Sequence, residues 1–219
     1  MPGSVDVEPD LTQILQLLSQ LCPEASYSET TVRALHQWLQ LLVSWNRRID
    51  LTAARSTDEL VDLFLADAVV LHHARLELAP ANSWLDLGSG AGAPGLGMAI
   101  LDPLLQITLV EPSAKRVAFL RQVVGRLQLA KVQVRCARAE SIGPSLTDDV
   151  VSRATWSPDE WLQRATRLTR RRFWVLLARE TWQPPAGYRV DYEHDYQWPL
   201  TGVARRVLAV SHIQPQSER

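Results

Sequence analysis

Five glycines fall within ten residues near the middle of this chain, and few folds have a use for such a run. The stretch reads Ser83-Trp84-Leu85-Asp86-Leu87-Gly88-Ser89-Gly90-Ala91-Gly92-Ala93-Pro94-Gly95. Trp84, Leu85 and Leu87 make a short apolar run that predicts a buried strand, with Asp86 near its C-terminal end. Gly88, Gly90 and Gly92 can take φ > 0 and let a ligand approach the backbone closely. Pro94 suits the first turn of a helix, where a missing N–H costs nothing. A strand feeding a glycine turn and a helix N-terminus makes a nucleotide-type site outside the C-terminal strand edge of an α/β sheet.

The loop reads in two frames. Gly90-x-Gly92-x-x-Gly95, with Glu111 about 20 residues further on, satisfies the dinucleotide fingerprint. Asp86-x-Gly88-x-Gly90-x-Gly92 is instead the pattern of S-adenosylmethionine (SAM) sites. SAM has no pyrophosphate; it needs an acceptor near its cationic amino-acid moiety, and Asp86 can supply one. In the dinucleotide frame Asp86 has no evident task, so the SAM frame is favoured. A nicotinamide-dependent dehydrogenase would also require a separate catalytic domain, of which there is no sign.

At 219 residues the chain suits one large domain, or one domain with an appendage. No run of about 18 apolar residues marks a membrane span, and no basic and apolar leader marks secretion. Cys22 and Cys136 are too few and too distant for a disulfide or zinc framework, which predicts reduced thiols and a cytoplasmic protein. Five scattered His with no HExxH or CxxC predict no metal site. A net charge of −1 hides an asymmetry: residues 1–111 carry 5 basic and 14 acidic side chains, residues 112–182 carry 14 and 6. A basic middle segment fits a polyanion on one face, or a solvated Arg-rich surface.

In chain order, apolar periodicity predicts helices over 11–21 and 28–46, the second with Val32, Leu35, Leu39, Leu42 and Val43 inward and Trp38 and Trp45 on its flanks. A third runs from an N-cap at Thr57 to Leu76. Strands are predicted at 84–88, 106–111, 131–136, 149–151 and 173–178, with helices between them, the last over 158–169 and ending in Arg170-Arg171-Arg172. Two further β segments, 188–198 and 205–213, suit an antiparallel end. The result is an α/β fold with an N-terminal helical cap (1–78) and a Rossmann-like, mainly parallel sheet domain (79–219). Glu111, ending the second strand, is placed to accept both ribose hydroxyls of an adenosyl ligand. Arg138-Ala139-Glu140-Ser141 follows the third strand and Ser152-Arg153-Ala154 the fourth. Arg153 is a candidate for a phosphate, a cofactor carboxylate or solvent.

Trp45-Asn46, Asp50-Leu51-Thr52-Ala53, the Asp86–Gly95 loop, Lys115-Arg116-x-x-Phe119-Leu120, Arg138-Ala139-Glu140 and Ser152-Arg153-Ala154, in this order, resemble the ribosomal RNA small subunit methyltransferase G family, also called glucose-inhibited division protein B. The resemblance covers about residues 35–180. It implies a class I SAM-dependent methyltransferase that transfers a methyl to guanine N7 of small-subunit (16S) ribosomal RNA, acting on that RNA or the small ribosomal subunit. By matching position it implies SAM contacts at Gly88, Ala93, Ala139, Glu140 and Arg153, with Glu111 in the acidic place. Asp86, Gly90 and Gly92 complete the cofactor set, and Arg153 is the one positioning candidate. Arg47, Arg48, Arg170, Arg171 and Arg172 are candidate RNA contacts, and Trp45, Phe64 and Trp156 candidate aromatic platforms for the base.

The chain departs from the family pattern on its substrate side. Asp50 stands where Asn is usual, Leu63-Phe64 where an Arg-His pair is expected, and Arg179-Glu180 in place of Lys-Gly. Alternative readings are a different methyl acceptor, a small molecule among them, or a non-catalytic SAM- or RNA-binding module. A monomer is expected.

Overall fold

The computed structural model describes residues 9–144, 147–178 and 181–213. Seven strands form one sheet: β1 (Ser83–Leu87), β2 (Gln106–Glu111), β3 (Val132–Cys136), β4 (Thr147–Ser152), β5 (Thr169–Leu177), β6 (Tyr188–Gln197) and β7 (Ala204–His212). Their order is β3-β2-β1-β4-β5-β7-β6. The first five are parallel, and β7 runs antiparallel to both β5 and β6. Strand order reverses between β1 and β4, the switch point outside which ligands bind in open α/β sheets.

Alternation along each strand divides the core between two faces. Trp84, Leu109 and Trp174 point to one face, joining Ile14, Trp38, Leu39, Phe64 and Leu96 from the helices. Leu85, Val110, Phe173 and Val175 point to the other, against Trp161 and Leu162. The indole rings of Trp84 and Trp174 stack at 5.6 Å on the first face. The N-terminal helices α1 (Leu11–Leu21) and α2 (Glu29–Asn46) thus bury their stripes in the core that covers the sheet. Trp38, expected on the flank of α2, is fully buried, and its Nε1 donates to Ala91 O at 3.3 Å. A large ring filling the gap under the glycine loop outweighs simple helical periodicity.

The predicted third helix is a continuous rod: α3 (Thr57–Val61), a π-helical turn (Asp62–Ala66) and α4 (Asp67–Leu76). Its N-cap is Ser56 rather than Thr57, with Ser56 Oγ accepting from Glu59 N at 3.1 Å. The π turn inserts one residue and so turns Asp62 and Asp67 toward the β6–β7 hairpin. Asp62 accepts from Leu200 N, Thr201 N and Thr201 Oγ1.

Helix α5 (Gly95–Leu101) makes the β1–β2 crossover and α6 (Ala114–Arg126) the β2–β3 crossover; α7 is Pro158–Ala165. The last ends four residues earlier than its sequence predicts, so Arg170–Arg172 belong to β5 and not to a helix C-terminus. The reason lies in β4: Asp149 is fully buried and Arg172 pairs with it, which draws the arginine into the strand register Asp149↔Arg172.

Candidate active site

The glycine loop connects β1 to α5 as predicted. Gly88, Gly90 and Gly92 have φ of 74°, 57° and 110°. Gly88 N and Ser89 N donate to Val110 O, folding the loop back over β2. Gly95 answers to close approach: a Cβ there would lie 2.6 Å from Asp86 Oδ2, the atom that accepts from Gly95 N at 3.1 Å. Asp86 therefore ties strand to helix across the loop. Its other oxygen, Oδ1, is buried with no hydrogen-bond partner, and burial pushes the carboxyl up to about 7 despite the Gly95 bond and the nearby Arg153 guanidinium. Such an atom fits a ligand that brings a cationic donor.

Glu111 ends β2 with both oxygens engaged: Oε2 accepts from Gly90 N at 3.0 Å and Oε1 from Ser113 N at 2.9 Å. A carboxylate has about four acceptor positions, so two remain for a diol while the backbone holds the group rigid. Glu111 lines a cavity of about 620 Å³ with Gly88, Ala139, Glu140 and the segment Arg153–Trp156. Arg116 and Arg138 line it as well. Glu140, exposed in a 3₁₀ turn, is held by Arg164 at 3.0 Å. Gly88, Gly90, Ala139, Glu140, Glu111 and Arg153 thus gather at one edge, while Gly92 and Ala93 are buried in the loop beneath.

Arg153 follows β4 and is committed. Its Nη1 donates to Leu63 O and to Asp67 Oδ2, the latter at 3.1 Å. Asp67 Oδ1 accepts from Tyr196 OH at 2.7 Å and Trp198 Nε1 at 2.8 Å. Leu63 therefore serves through its backbone carbonyl. The sequence offered no signal for Asp67, Tyr196 or Trp198, whose partners lie 86 to 131 residues away. Arg153–Trp156 also walls a second cavity of about 660 Å³, lined further by Leu63, Asp67, Glu160, Trp198 and Arg205. The two cavities lie side by side at the switch point and share the segment Arg153–Trp156 as lining.

Other candidates are placed differently. Arg47 and Arg48 are exposed at the end of α2. Arg170–Arg172 lie at the start of β5, on the sheet edge opposite the glycine loop. Arg172 is buried and pairs with Asp149, and Arg171 and Arg172 both donate to Ala79 O. Arg172 is thereby committed within the fold, Arg171 is half-buried, and Arg170 is exposed. Phe64 is buried edge-on to Trp38 and so closed to a base, while Trp45 is half-buried and packs edge-on to Phe119. Trp156 lines both cavities. Asp50 is exposed, while Arg179 and Glu180 lie outside the described residues.

A family model described as rRNA small subunit methyltransferase G matches residues 31–184. The chain belongs to that family. Curated relatives named ribosomal RNA small subunit methyltransferase G include one from Chromobacterium violaceum, 37% identical over 203 residues, covering 93% of this chain and 88% of that protein. One from Pseudomonas aeruginosa is 35% identical over 187 residues, covering 80% and 84%. One from Halorhodospira halophila is 43% identical over 108 residues, a match spanning about half of each chain. Among solved structures, TYW2 of M. jannaschii in complex with AdoMet superposes with a TM-score of 0.50 at 13% identity, over 67% of this chain and 77% of that one. The cyclase SpnF does so at 0.51 and 16% identity, over 87% and 98%. These likenesses bear on fold alone, which is that of the class I SAM-dependent methyltransferases. Among the described residues no helix is long and apolar enough to cross a membrane.

Proposed function

We propose that the protein transfers a methyl from SAM to guanine N7 of small-subunit ribosomal RNA. The observation that carries this reading, beside membership of the family, is the pair of cavities meeting at Arg153–Trp156. Asp86, Gly88, Gly90, Gly92, Ala93, Glu111, Ala139, Glu140 and Arg153 form the cofactor side. Glu111 takes the ribose hydroxyls, and the orphaned Asp86 Oδ1 draws the ammonium end.

Bound SAM supplies an electrophilic methyl on a sulfonium. Guanine N7 carries a free lone pair and no proton, so the chain needs no general base; its residues orient the two partners in line and exclude water. Arg153, fixed by Asp67, is the positioning residue at the shared wall. Arg47 and Arg48 contact RNA phosphates. They are joined by exposed Lys115, Arg121, Arg126, Arg135 and Arg138 on α6, β3 and the turn after it, where much of the basic segment falls. Residues 1–78 act as the substrate-facing cap and 79–219 as the cofactor-binding unit, sharing one core. The protein acts as a monomer without a metal ion.

The test is methyl transfer from labelled SAM to small-subunit RNA and to small ribosomal subunits, with mass spectrometric mapping of the product. Label on a single guanosine, released as 7-methylguanosine, is the expected outcome. SAM binding with no transfer to either RNA substrate overturns the proposal.

A further inference from the structure

The second cavity carries the chemistry to recognise one base. Trp156 and Trp198 give it aromatic walls, Glu160 a carboxylate and Arg205 a cation. Arg153 is already spent on Asp67 and Leu63. Arg205 makes no ion pair among the described residues; its guanidinium lies 4.0 Å from the ring centre of Trp198, which Asp67 pins through Nε1. Glu160 belongs to the capping box of α7: Oε2 accepts from Ser157 N at 3.1 Å and Ser157 Oγ at 2.9 Å. Its Oε1 accepts no hydrogen bond among the described residues. The helix cap therefore fixes the carboxylate by one oxygen and leaves the other without a donor, on an exposed side chain that lines the cavity.

We propose that Glu160 reads the Watson–Crick edge of the acceptor guanine, and that Arg205 takes a phosphate beside it. This rests on the RNA methyltransferase reading above. Guanine presents two adjacent donors on that edge, N1–H and N2–H, which the one open oxygen, Oε1, can accept together through its two lone pairs, whereas adenine presents an acceptor at N1 and is repelled. Holding this edge leaves the imidazole side of the base, with N7, free to face the wall shared with the cofactor cavity. In the reaction the N7 lone pair forms the new N–C bond while the C–S pair returns to sulfur, and no proton moves. The ring becomes a cation, so N1–H and N2–H become stronger donors and their bonds to Glu160 strengthen toward the transition state. A cation at N7 would oppose that charge, which assigns Arg205 to the phosphate. The Ser157 hydrogen bonds hold the Glu160 carboxyl below its ordinary range and so keep it an acceptor.

Glu160→Gln separates reading from folding, because Gln also serves in a capping box. Its melting temperature and SAM affinity should stay at wild-type values, while kcat/KM for small-subunit RNA falls at least about tenfold, with kcat itself reduced. Arg205→Gln should raise KM for RNA and lower the salt slope of binding by about one. Wild-type kcat/KM within twofold in both variants overturns this assignment while leaving the activity standing. A wild-type protein that binds SAM and methylates no small-subunit RNA overturns both.

Discussion

Asp67 Oδ2 receives a hydrogen bond from Arg153 Nη1 at 3.1 Å, joining the π-turned rod to the loop after β4. Burial, followed by the Asp67 charge, pushes the Tyr196 phenol well above its ordinary range, so that Tyr196 remains a donor to the same carboxylate. One acid thus gathers a cap helix, the loop after β4 and the C-terminal hairpin. Asp67→Asn turns an amide N–H toward Arg153 and leaves that guanidinium without its counter-charge. Breaking a buried pair costs about 3–5 kcal/mol; with Arg153 partly reached by water, the lower figure applies. A drop in melting temperature of about 6–12 °C is expected, with weaker SAM binding by calorimetry at a temperature where the variant remains folded.

Asp86 gives a pH test. Its carboxyl, raised to about 7 chiefly by burial, is protonated in the free protein below that value. The folded state then holds its proton more tightly than the unfolded one, so this group's contribution to stability is full below about pH 4 and is lost as pH rises through about 7. A cationic ligand favours the ionised form, so SAM affinity should move the opposite way and rise between pH 6 and pH 8. Asp86→Asn should flatten both profiles relative to wild type, a comparison in which the other titrating groups cancel. A SAM dissociation constant independent of pH across that range contradicts this role.

For Glu111 the expected loss is selective. Glu111→Ala removes the ribose acceptor and frees Gly90 N and Ser113 N. SAM affinity should fall about 10- to 100-fold, as for loss of a charged hydrogen-bonding partner worth about 1.5–3 kcal/mol. Unchanged titration calorimetry would mean that the ribose is held elsewhere.

Arg172 should behave in the opposite manner. Asp149 accepts from Arg172 Nε and from Trp174 Nε1, and burial pushes its carboxyl up against those bonds. Arg172→Gln leaves a buried carboxylate short of its partner and should lower the melting temperature. RNA affinity of the folded variant and its salt slope should match wild type, as the residue sits on the far sheet edge. A reduced salt slope would restore this cluster as an RNA contact.

Local rules carried much of this structure. The glycine loop, Glu111 at the strand end and the order of strands and helices each follow from residues close together in sequence. Helix α1 coincides with its predicted span and β2 likewise. Long-range pairing was invisible: Asp62 and Asp67 look like ordinary polar positions in an amphipathic helix until a hairpin about 130 residues later supplies donors. The same blindness set Arg170–Arg172 at a helix end, since only Asp149, on the neighbouring strand, explains why the chain turns extended there.

The three-donor arrangement around Asp67 has a consequence for the nascent chain. Trp198 is made 131 residues after Asp67, about 7–26 s later at ordinary elongation rates. Until the hairpin emerges, this acid lacks two of its donors, and the rod, the β4 loop and the second cavity lack a fixed relation. The glycine loop and its strands precede that moment. A truncated product ending before the hairpin therefore carries the residues that line the cofactor-side cavity and lacks Trp198 and Arg205, which line the second.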